Sequence, residues 1–501
     1  MTMWRRLAAV FLVLLGLLAA GLMLARPALA DTAKREQSRE RLNILWIMAE
    51  DMGPELGYTG HPQVRTPAID SLAERGMVFD NAFATGPICS ISRSAFYTGM
   101  HSIAIGAHQH RTPNDRKQPL PPGVQHLTER LHEVGYSTAL LKDLGTPGKP
   151  APFDGSRKTD WNFKLDHKPY DLDALSDLKS RQPFFAHVQF PETHRGKEWN
   201  TSYLHIPTPA DPAKVVLPPY YPDHPIARDE WAQYLNTVMA FDSKVAYVLR
   251  RLQEEGLADN TVIMLTADHG RAMPRGKQWL YDSGLNVPFI VVWPEGREPV
   301  GYREGRTDRL VSLIDMTGET LSIAGAPLDG RFQGRAIYGP HAKPRDYVFG
   351  ARDRADETVD QMRSVRDNRY LYIRNFMPER PYTQQNLYKE TEYPLYRLMF
   401  RLHRMGLLGP IPSLFMAERK PVEELYDVAA DPHQVNNLAA DSKYSAELQR
   451  MRSVLEAWLV ETGDMGAIPE PPEVARAINE TTLKKRDEQI KRIVEQEGTW
   501  R

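Results

Sequence analysis

Cysteine is nearly absent, since the 501-residue chain contains only Cys89. A single thiol cannot form an intramolecular disulfide, which excludes a disulfide-stabilised fold. No H-E-x-x-H or C-x-x-C pattern accompanies the 15 histidines, so the common zinc motifs are excluded as well. Two interpretations of Cys89 remain open at this point, a buried small apolar side chain and a reactive thiol.

An excess of charge of either sign is also missing. The 63 basic and 64 acidic side chains give a formal net charge of −1. No global field therefore favours nucleic acid or an anionic membrane, and we expect no nucleic-acid partner. The apolar content of 42% and the charged content of 25% are ordinary for a globular protein.

Long apolar runs are missing except at the N-terminus. Two arginines at positions 5 and 6 precede an apolar run at 7–25, and residues 28–30 fit a small-residue cleavage site. This order is typical of a secretory signal peptide over residues 1–30 and predicts an exported, periplasmic or secreted protein. The alternative is an uncleaved anchor helix, in which case this segment alone would contact the membrane.

The rest of the chain divides into four predicted parts. Residues 31–42 are polar and form a linker. Over residues 43–335, strand patterns alternate with helix patterns, which predicts an α/β domain with a doubly wound sheet flanked by helices. Residues 345–465 contain short strands, turns and a helix, and are predicted to form a smaller α+β domain. A charged helical tail follows at residues 466–501.

Acidic residues follow two of the buried strand patterns. The apolar run at 43–48 leads to Glu50-Asp51, and the run at 261–267 leads to Asp268-His269. Ligands bind outside the carboxyl ends of strands in open α/β sheets. A hard divalent cation takes oxygen ligands from separated segments, so these residues predict a metal site. For either pair alone, the alternative is a helix-cap or loop acid.

Cys89 lies in the segment GPICSISRSAFYTG at residues 86–99. The Gly-Pro pair precedes a helical spacing that stops at Gly99, so the thiol is expected near a helix N-terminus. Backbone N–H groups and the helix dipole there attract anions and lower the pKa of a cysteine. Arg93 follows one helical turn later, and its planar guanidinium suits phosphate or sulfate. These residues predict an oxyanion site with a nucleophile, a guanidinium and a metal.

A known family motif surrounds the cysteine. The chain has Cys89-Ser90-Ile91-Ser92-Arg93 followed by Thr98-Gly99, and resembles the sulfatase family of the alkaline phosphatase superfamily, whose motif is Cys-x-Pro-Ser-Arg followed by Thr-Gly. The similarity includes residues 43–84, 266–294 and 423–439, and points to the branch of exported sulfatases that includes heparan N-sulfatases. It implies an alkaline phosphatase-like mixed sheet and a hydrolase that releases sulfate from a sulfuric ester or sulfamate of a sulfated carbohydrate.

The resemblance implies a role for each predicted site residue. A maturation enzyme oxidises the motif cysteine, here Cys89, to formylglycine, whose hydrate attacks sulfur. Arg93 would hold the hydrate and the sulfate, and Lys277 would contact the sulfate. His194 would protonate the leaving group, and Lys142 is a further catalytic candidate. One Ca²⁺ per chain would be bound by the formylglycine oxygen and by Glu50, Asp51, Asp268 and His269.

Three positions depart from the family pattern. Ile91 replaces the motif proline, although its β-branched side chain is compatible with the extended pose that the maturation enzyme reads. The family segment Gly-Lys-x-His-x-Gly is shortened here, with Lys142 but no histidine. His269 stands where many members have asparagine, and imidazole suits transition metals better than Ca²⁺.

Further polar residues have two interpretations each. The motif helix is followed by His101, His108, His110 and Arg111. His108 and Arg111 either line the mouth of the site or pack within a loop. Arg352 and Arg354 either contact an anionic glycan or form structural ion pairs.

Two other functions remain open. A phosphodiesterase or phosphonate monoester hydrolase of the same superfamily would share the metal site and the aldehyde nucleophile. A non-catalytic relative that binds sulfated glycans would keep Cys89 as a thiol. Ile91 and the histidine missing from the segment after Lys142 motivate this alternative.

Overall fold

The computed structural model describes residues 41–328 and 330–499. The predicted signal segment and the predicted linker up to residue 40 lie outside the described residues. Within the described part of the chain, no helix combines the length and the apolar composition that crossing a bilayer requires.

An eight-stranded mixed sheet forms the centre of the molecule. Its strands are β1 Asn43–Ala49, β2 Met77–Phe83, β3 Ser137–Asp143, β4 Leu172–Ala174, β5 Phe184–Phe190, β6 Thr261–Ala267, β7 Phe289–Val292 and β8 Gly305–Ser312. Their spatial order is β4-β3-β5-β1-β6-β7-β2-β8. β1 pairs in parallel with β5 and β6, whereas β7 is antiparallel to both of its neighbours. Burial of both faces explains the nearly continuous apolar sequences of β1 and β6.

Helices flank this sheet, which confirms the predicted α/β class and the mixed, doubly wound sheet. The helices of the described residues, including those of the C-terminal region, are α1 Pro67–Glu74, α2 Cys89–Thr98, α3 Leu127–Glu133, α4 Lys197–Thr201, α5 Pro225–Glu254, α6 Asp282–Leu285, α7 Leu313–Ala324, α8 Leu387–Glu392, α9 Pro394–Arg404, α10 Pro410–Leu414, α11 Ser445–Thr462 and α12 Pro472–Glu497. α2 packs against α7, and Trp46 of β1 donates a hydrogen bond to Thr320 of α7 at 3.0 Å. α1 packs against α5, where Asp242 accepts a hydrogen bond from Ile69 N at 2.8 Å.

A second, antiparallel sheet lies in the region predicted as the smaller α+β domain. Its strands are β9 Val348–Arg352, β10 Met362–Arg366, β11 Tyr370–Asn375 and β12 Glu423–Asp427, in the order β12-β11-β10-β9. α11 packs on this sheet, and Trp458 stacks on Phe349 with 4.6 Å between ring centroids. The main apolar core nevertheless continues into this sheet through Val348 and Leu371. The predicted charged tail contains α12, whose Glu497 pairs with Arg397 at 2.6 Å.

Candidate active site

The ends of β1 and β6 bring the predicted acidic residues together. The two strands are parallel neighbours in register, with Ala49 opposite Ala267, so the residues that follow them emerge side by side. Asp51 N donates to Asp268 Oδ1 at 2.9 Å. Asp51 has a φ of 52°, a left-handed conformation that is uncommon for a residue other than glycine and that occurs at functional sites.

The helix α2 places Cys89 against these acids, as its first residue. Ile88 before it is extended, and Gly99 ends the helix in the left-handed conformation that a C-terminal cap requires. The chain passes close to the helix at Gly86, where a Cβ would lie only 2.5 Å from Ile91 Cγ2. All ten residues of α2 are buried. The predicted position of the thiol at a helix N-terminus is therefore observed.

Four side chains form a compact, buried cluster of possible metal ligands. Their donor atoms all lie within 4.8 Å of one another. Cys89 Sγ is 3.4 Å from His269 Nε2 and 3.7 Å from Asp51 Oδ1. His269 Nδ1 is 2.9 Å from the carbonyl of Gly270, which can only accept, so Nδ1 carries the proton and Nε2 points into the cluster. The fourth member, Asp268, has Oδ1 at 3.8 Å from His269 Nε2.

Two buried cations balance the acids of this cluster. Lys277 Nζ is 2.7 Å from Asp51 Oδ2 and 3.4 Å from Cys89 Sγ. Arg93 Nε donates to Asp268 Oδ2 at 2.9 Å. Arg93 Nη2 and Glu50 Oε1 lie 4.0 Å apart, and neither has a hydrogen-bond partner among the described residues. Buried polar atoms without partners are costly, so both atoms are suited to receive a ligand atom.

These charges shift the ionisation of the cluster. Burial raises the pKa of Cys89, but the charges of Lys158 and Lys277 outweigh burial and bring the pKa down to about 6. Burial likewise raises the pKa of Asp268, whereas the charges of His269 and Arg93 bring it down to about 2. Burial lowers the pKa of His269, but Asp268 and Asp51 raise it to about 10. Thiolate and carboxylate are therefore the favoured forms of Cys89 and Asp268 at neutral pH, whereas His269 is protonated and would have to release its Nε2 proton to bind a metal.

Glu50 and His194 lie beside the four-residue cluster and not within it. Glu50 Oε2 forms an ion pair of 2.7 Å with Lys158, and its backbone carbonyl accepts from Thr193 Oγ1. His194 is half-buried, and its Nδ1 lies 2.7 Å from the carbonyl of Arg195. Nδ1 therefore carries a proton, which leaves Nε2 available to a ligand. Burial raises the pKa of Asp51, whereas the charges of Lys277 and His269 hold it well below its usual range.

Lys142 does not join the cluster. Its side chain is nearly half exposed and pairs with the exposed Asp154 at 3.4 Å. Lys158 reaches the acids instead, although no motif or periodicity around it marks it in the sequence. The sequence pattern indicated Lys142 on β3, whereas the loop after that strand places Lys158 at the site.

The remaining candidates are the histidines and Arg111 after the motif helix, and Arg352 and Arg354. His110 Nδ1 is 2.8 Å from Ser90 Oγ, and Arg111 is half exposed with Asp356 at 3.9 Å. His108 is buried, and His101 packs with Phe349 and Trp458. The two candidate arginines at the end of β9 and just after it are buried in ion pairs of 2.6 Å, namely Arg352 with Asp360 and Arg354 with Glu470. Arg352 and Arg354 are thus structural ion pairs.

Comparisons with known proteins agree with the motif. A family model described as Sulfatase matches residues 42–326. An ulvan-active sulfatase of Formosa agariphila is 32% identical over 478 residues, which cover 86% of this chain and 77% of the relative. Human N-sulphoglucosamine sulphohydrolase is 27% identical over 472 residues, covering 84% of this chain and 90% of the relative.

Solved structures share the fold at lower identity. A 2-O GAG sulfatase superposes with a TM-score of 0.61 at 19% identity, covering 87% of this chain and 96% of that one. The phosphonate monoester hydrolase of Agrobacterium radiobacter gives a TM-score of 0.59 at 17% identity, covering 84% and 96%. The match over residues 42–326 and the similarity to the ulvan-active sulfatase establish that the chain belongs to the sulfatase family, a family of sulfuric ester hydrolases.

Proposed function

We propose that this protein releases sulfate from a sulfated carbohydrate, as a sulfuric ester or sulfamate hydrolase whose nucleophile derives from Cys89. One observation carries the proposal: the thiol lies at the N-terminus of a buried helix, 3.4 Å from Lys277 Nζ and 3.4 Å from His269 Nε2. Formylglycine at this position would supply a hydrated aldehyde as the nucleophile toward sulfur. Arg93 and Lys277 bind and orient the sulfate oxygens and stabilise their developing charge. His194 Nε2 donates a proton to the departing oxygen or nitrogen.

One divalent cation would complete the site. Asp51, Asp268 and His269 present their donor atoms to one point, and the unpartnered Glu50 Oε1 lies beside Arg93. The cation would polarise the sulfate oxygens and neutralise the crowded carboxylates. We propose Ca²⁺, which the family resemblance implies, and His269 is the ligand that departs from an all-oxygen set.

The names of the relatives indicate the substrate class. The two most informative are an ulvan-active sulfatase and an N-sulphoglucosamine sulphohydrolase. Both names concern sulfated carbohydrates, and we propose a sulfated polysaccharide or glycosaminoglycan fragment as the substrate of this protein. The N-terminal segment supports export to the periplasm or beyond, where a formylglycine-generating enzyme would be the maturation partner.

Mass spectrometry of the peptide containing Cys89 tests the proposal. Protein is purified after expression with the native maturation system, and sulfate release is measured on O-sulfated and N-sulfated glycan fragments. We expect the aldehyde and measurable sulfate release, and neither in the Cys89→Ala variant. An unmodified thiol in material that releases sulfate would contradict the proposed nucleophile. An unmodified thiol in material that releases no sulfate would favour the non-catalytic role.

A phosphonate monoester hydrolase is the second candidate. His269 favours it, because a nitrogen ligand suits transition metals, and a phosphonate monoester hydrolase shares the fold. Turnover of an aryl sulfate and of an aryl phosphodiester by the same preparation separates the two. We expect a higher kcat/KM for the sulfate, and the reverse order would favour the second candidate.

A further inference from the structure

The segment after β3 folds back onto the edge of the sheet. Gly155 N donates to the carbonyl of Lys142 at 2.8 Å, and Ser156 N donates to the carbonyl of Gln189 at 2.8 Å. A Cβ at Gly155 would lie 2.1 Å from the backbone oxygen of Leu141, so the return of the chain requires glycine at this position. The returning segment therefore crosses the carboxyl ends of β3 and β5, the edge at which the cluster lies.

This return places Lys158 at the site. Its Nζ is 2.7 Å from Glu50 Oε2 and 4.0 Å from Asp160 Oδ2, and its side chain is 21% exposed. Its backbone carbonyl accepts from Arg93 Nη1 at 3.4 Å and from Gln189 Nε2. Arg93 of the motif thus binds the backbone of the returning segment at Lys158.

The position of this lysine suits an oxyanion. An ammonium group has three N–H donors, and one short contact with Glu50 leaves donors for a ligand. The unpartnered Arg93 Nη2 lies 4.0 Å from the other carboxylate oxygen of the same glutamate, Glu50 Oε1. Lys277 lies beside Asp51.

We propose that Lys158 is a catalytic residue that binds the sulfate oxygens together with Arg93 and Lys277. This inference rests on the proposed function and extends it, because it assigns the oxyanion contact to the returning loop and not to Lys142 on β3.

Titration of the purified, metal-loaded protein with inorganic sulfate tests this assignment. The variants are Lys158→Ala, Lys158→Arg, Lys158→Met and Lys142→Ala. The last is the control, because it removes a lysine of the same region that pairs with the exposed Asp154. We expect Lys158→Ala and Lys158→Met to weaken sulfate binding about tenfold or more, because a charge-assisted contact is lost. Lys158→Arg is expected to retain part of the affinity, and Lys142→Ala to stay within about twofold of the original protein.

Three outcomes would overturn the proposal. These are wild-type affinity in Lys158→Met, an equal loss in Lys142→Ala, and no sulfate binding by the unsubstituted protein. Thermal unfolding of each variant distinguishes lost binding from lost folding. If the uncharged variants do not fold, the sulfate affinity of Lys158→Arg is the deciding measurement. Binding is measured separately from turnover, so a protein that binds sulfate through Lys158 but releases none from glycans contradicts only the proposed function.

Discussion

At the scale of single residues, His194 differs from Arg93 and Lys277 in that it can exchange a proton with the substrate. His194 Nδ1 is engaged by the carbonyl of Arg195, so Nε2 is the nitrogen that can exchange a proton with substrate. Arg93 and Lys277 are permanent cations beside the cluster. The histidine should therefore matter in proportion to how much the leaving group needs a proton.

We expect His194→Ala to reduce kcat/KM about 10²- to 10⁴-fold on a glycan sulfate, whose alkoxide leaves poorly without a proton. The loss should be much smaller on 4-nitrophenyl sulfate, whose phenolate leaves unaided. Steady-state kinetics on both substrates measure the difference, with the exposed His205→Ala as the control. Equal losses on the two substrates would show that His194 does not act as the general acid.

We expect His269 to decide the metal preference. Its Nε2 is 2.9 Å from Asp51 Oδ1, so a nitrogen atom lies among the possible ligand atoms of the cluster. We expect His269→Asn to shift the ratio of Ca²⁺ to Mn²⁺ affinity about tenfold toward Ca²⁺, because an amide oxygen is the harder ligand. Calorimetric titration with each ion measures both constants. An unchanged ratio would mean that His269 is not a ligand.

At the scale of elements, the burial of α2 bears on the conversion of Cys89. Ile91 is the third residue of the helix and packs with Ile88 and Ala355 in a small apolar cluster. Backbone N–H groups in the first turn of a helix have no intrahelical partner, so proline is tolerated there. The family proline could therefore be restored without breaking α2.

We expect Ile91→Pro to raise the fraction of Cys89 converted to formylglycine, because proline presets the extended backbone that the maturation enzyme reads. Mass spectrometry of the Cys89 peptide, after limited co-expression of the maturation enzyme, gives this fraction. The Ile91→Val variant serves as the control, since it trims the side chain and keeps the backbone. An unchanged fraction in Ile91→Pro would show that Ile91 does not limit conversion.

The helix α7 contains a carboxyl group that makes stability depend on pH. Glu319 Oε2 accepts from Ile337 N at 2.6 Å and from Tyr338 N at 3.0 Å. Burial raises the pKa of Glu319, and these two hydrogen bonds only partly offset it, leaving the pKa at about 7. A raised carboxyl pKa stabilises the fold below the unfolded value and loses that stabilisation as pH rises through about 7.

We expect Glu319→Gln to gain stability relative to the unsubstituted protein between pH 5 and pH 8, by as much as about 3 kcal/mol. The glutamine keeps an acceptor for both backbone N–H groups and carries no charge. Urea unfolding of both proteins at several pH values measures the difference. Parallel stability curves across this range would contradict the shifted pKa.

At the scale of the whole molecule, the two predicted domains share their core. Val348 and Leu371 of the second sheet belong to the same apolar cluster as β1 and β6. Ala351 N donates to the carbonyl of Thr85 at 2.9 Å, so β9 is tied to the segment that leads into α2. Separation of the two sheets would therefore expose the core and disturb the approach to Cys89.

We expect calorimetry to show one unfolding transition, because the shared core couples both sheets. Residues 43–335 expressed alone should then be insoluble or unfolded by circular dichroism. Two separate transitions, together with a folded fragment, would support the predicted boundary between two independent domains.

The sequence by itself determined the α/β class, the two acidic strand ends and the helix that begins at Cys89. These features rest on local signals: continuous apolar runs for buried strands, and a glycine stop and a motif for α2. Parallel pairing of β1 with β6 then requires Asp51 and Asp268 to meet. Only the tertiary structure shows which of the two lysines lies beside the acids, because the family segment around Lys142 is shortened and no motif or periodicity marks Lys158. A loop is positioned by long-range contacts. Here these are the close packing of Gly155 on β3 and the hydrogen bond from Arg93 to the carbonyl of Lys158, and such contacts leave no pattern in the neighbouring sequence.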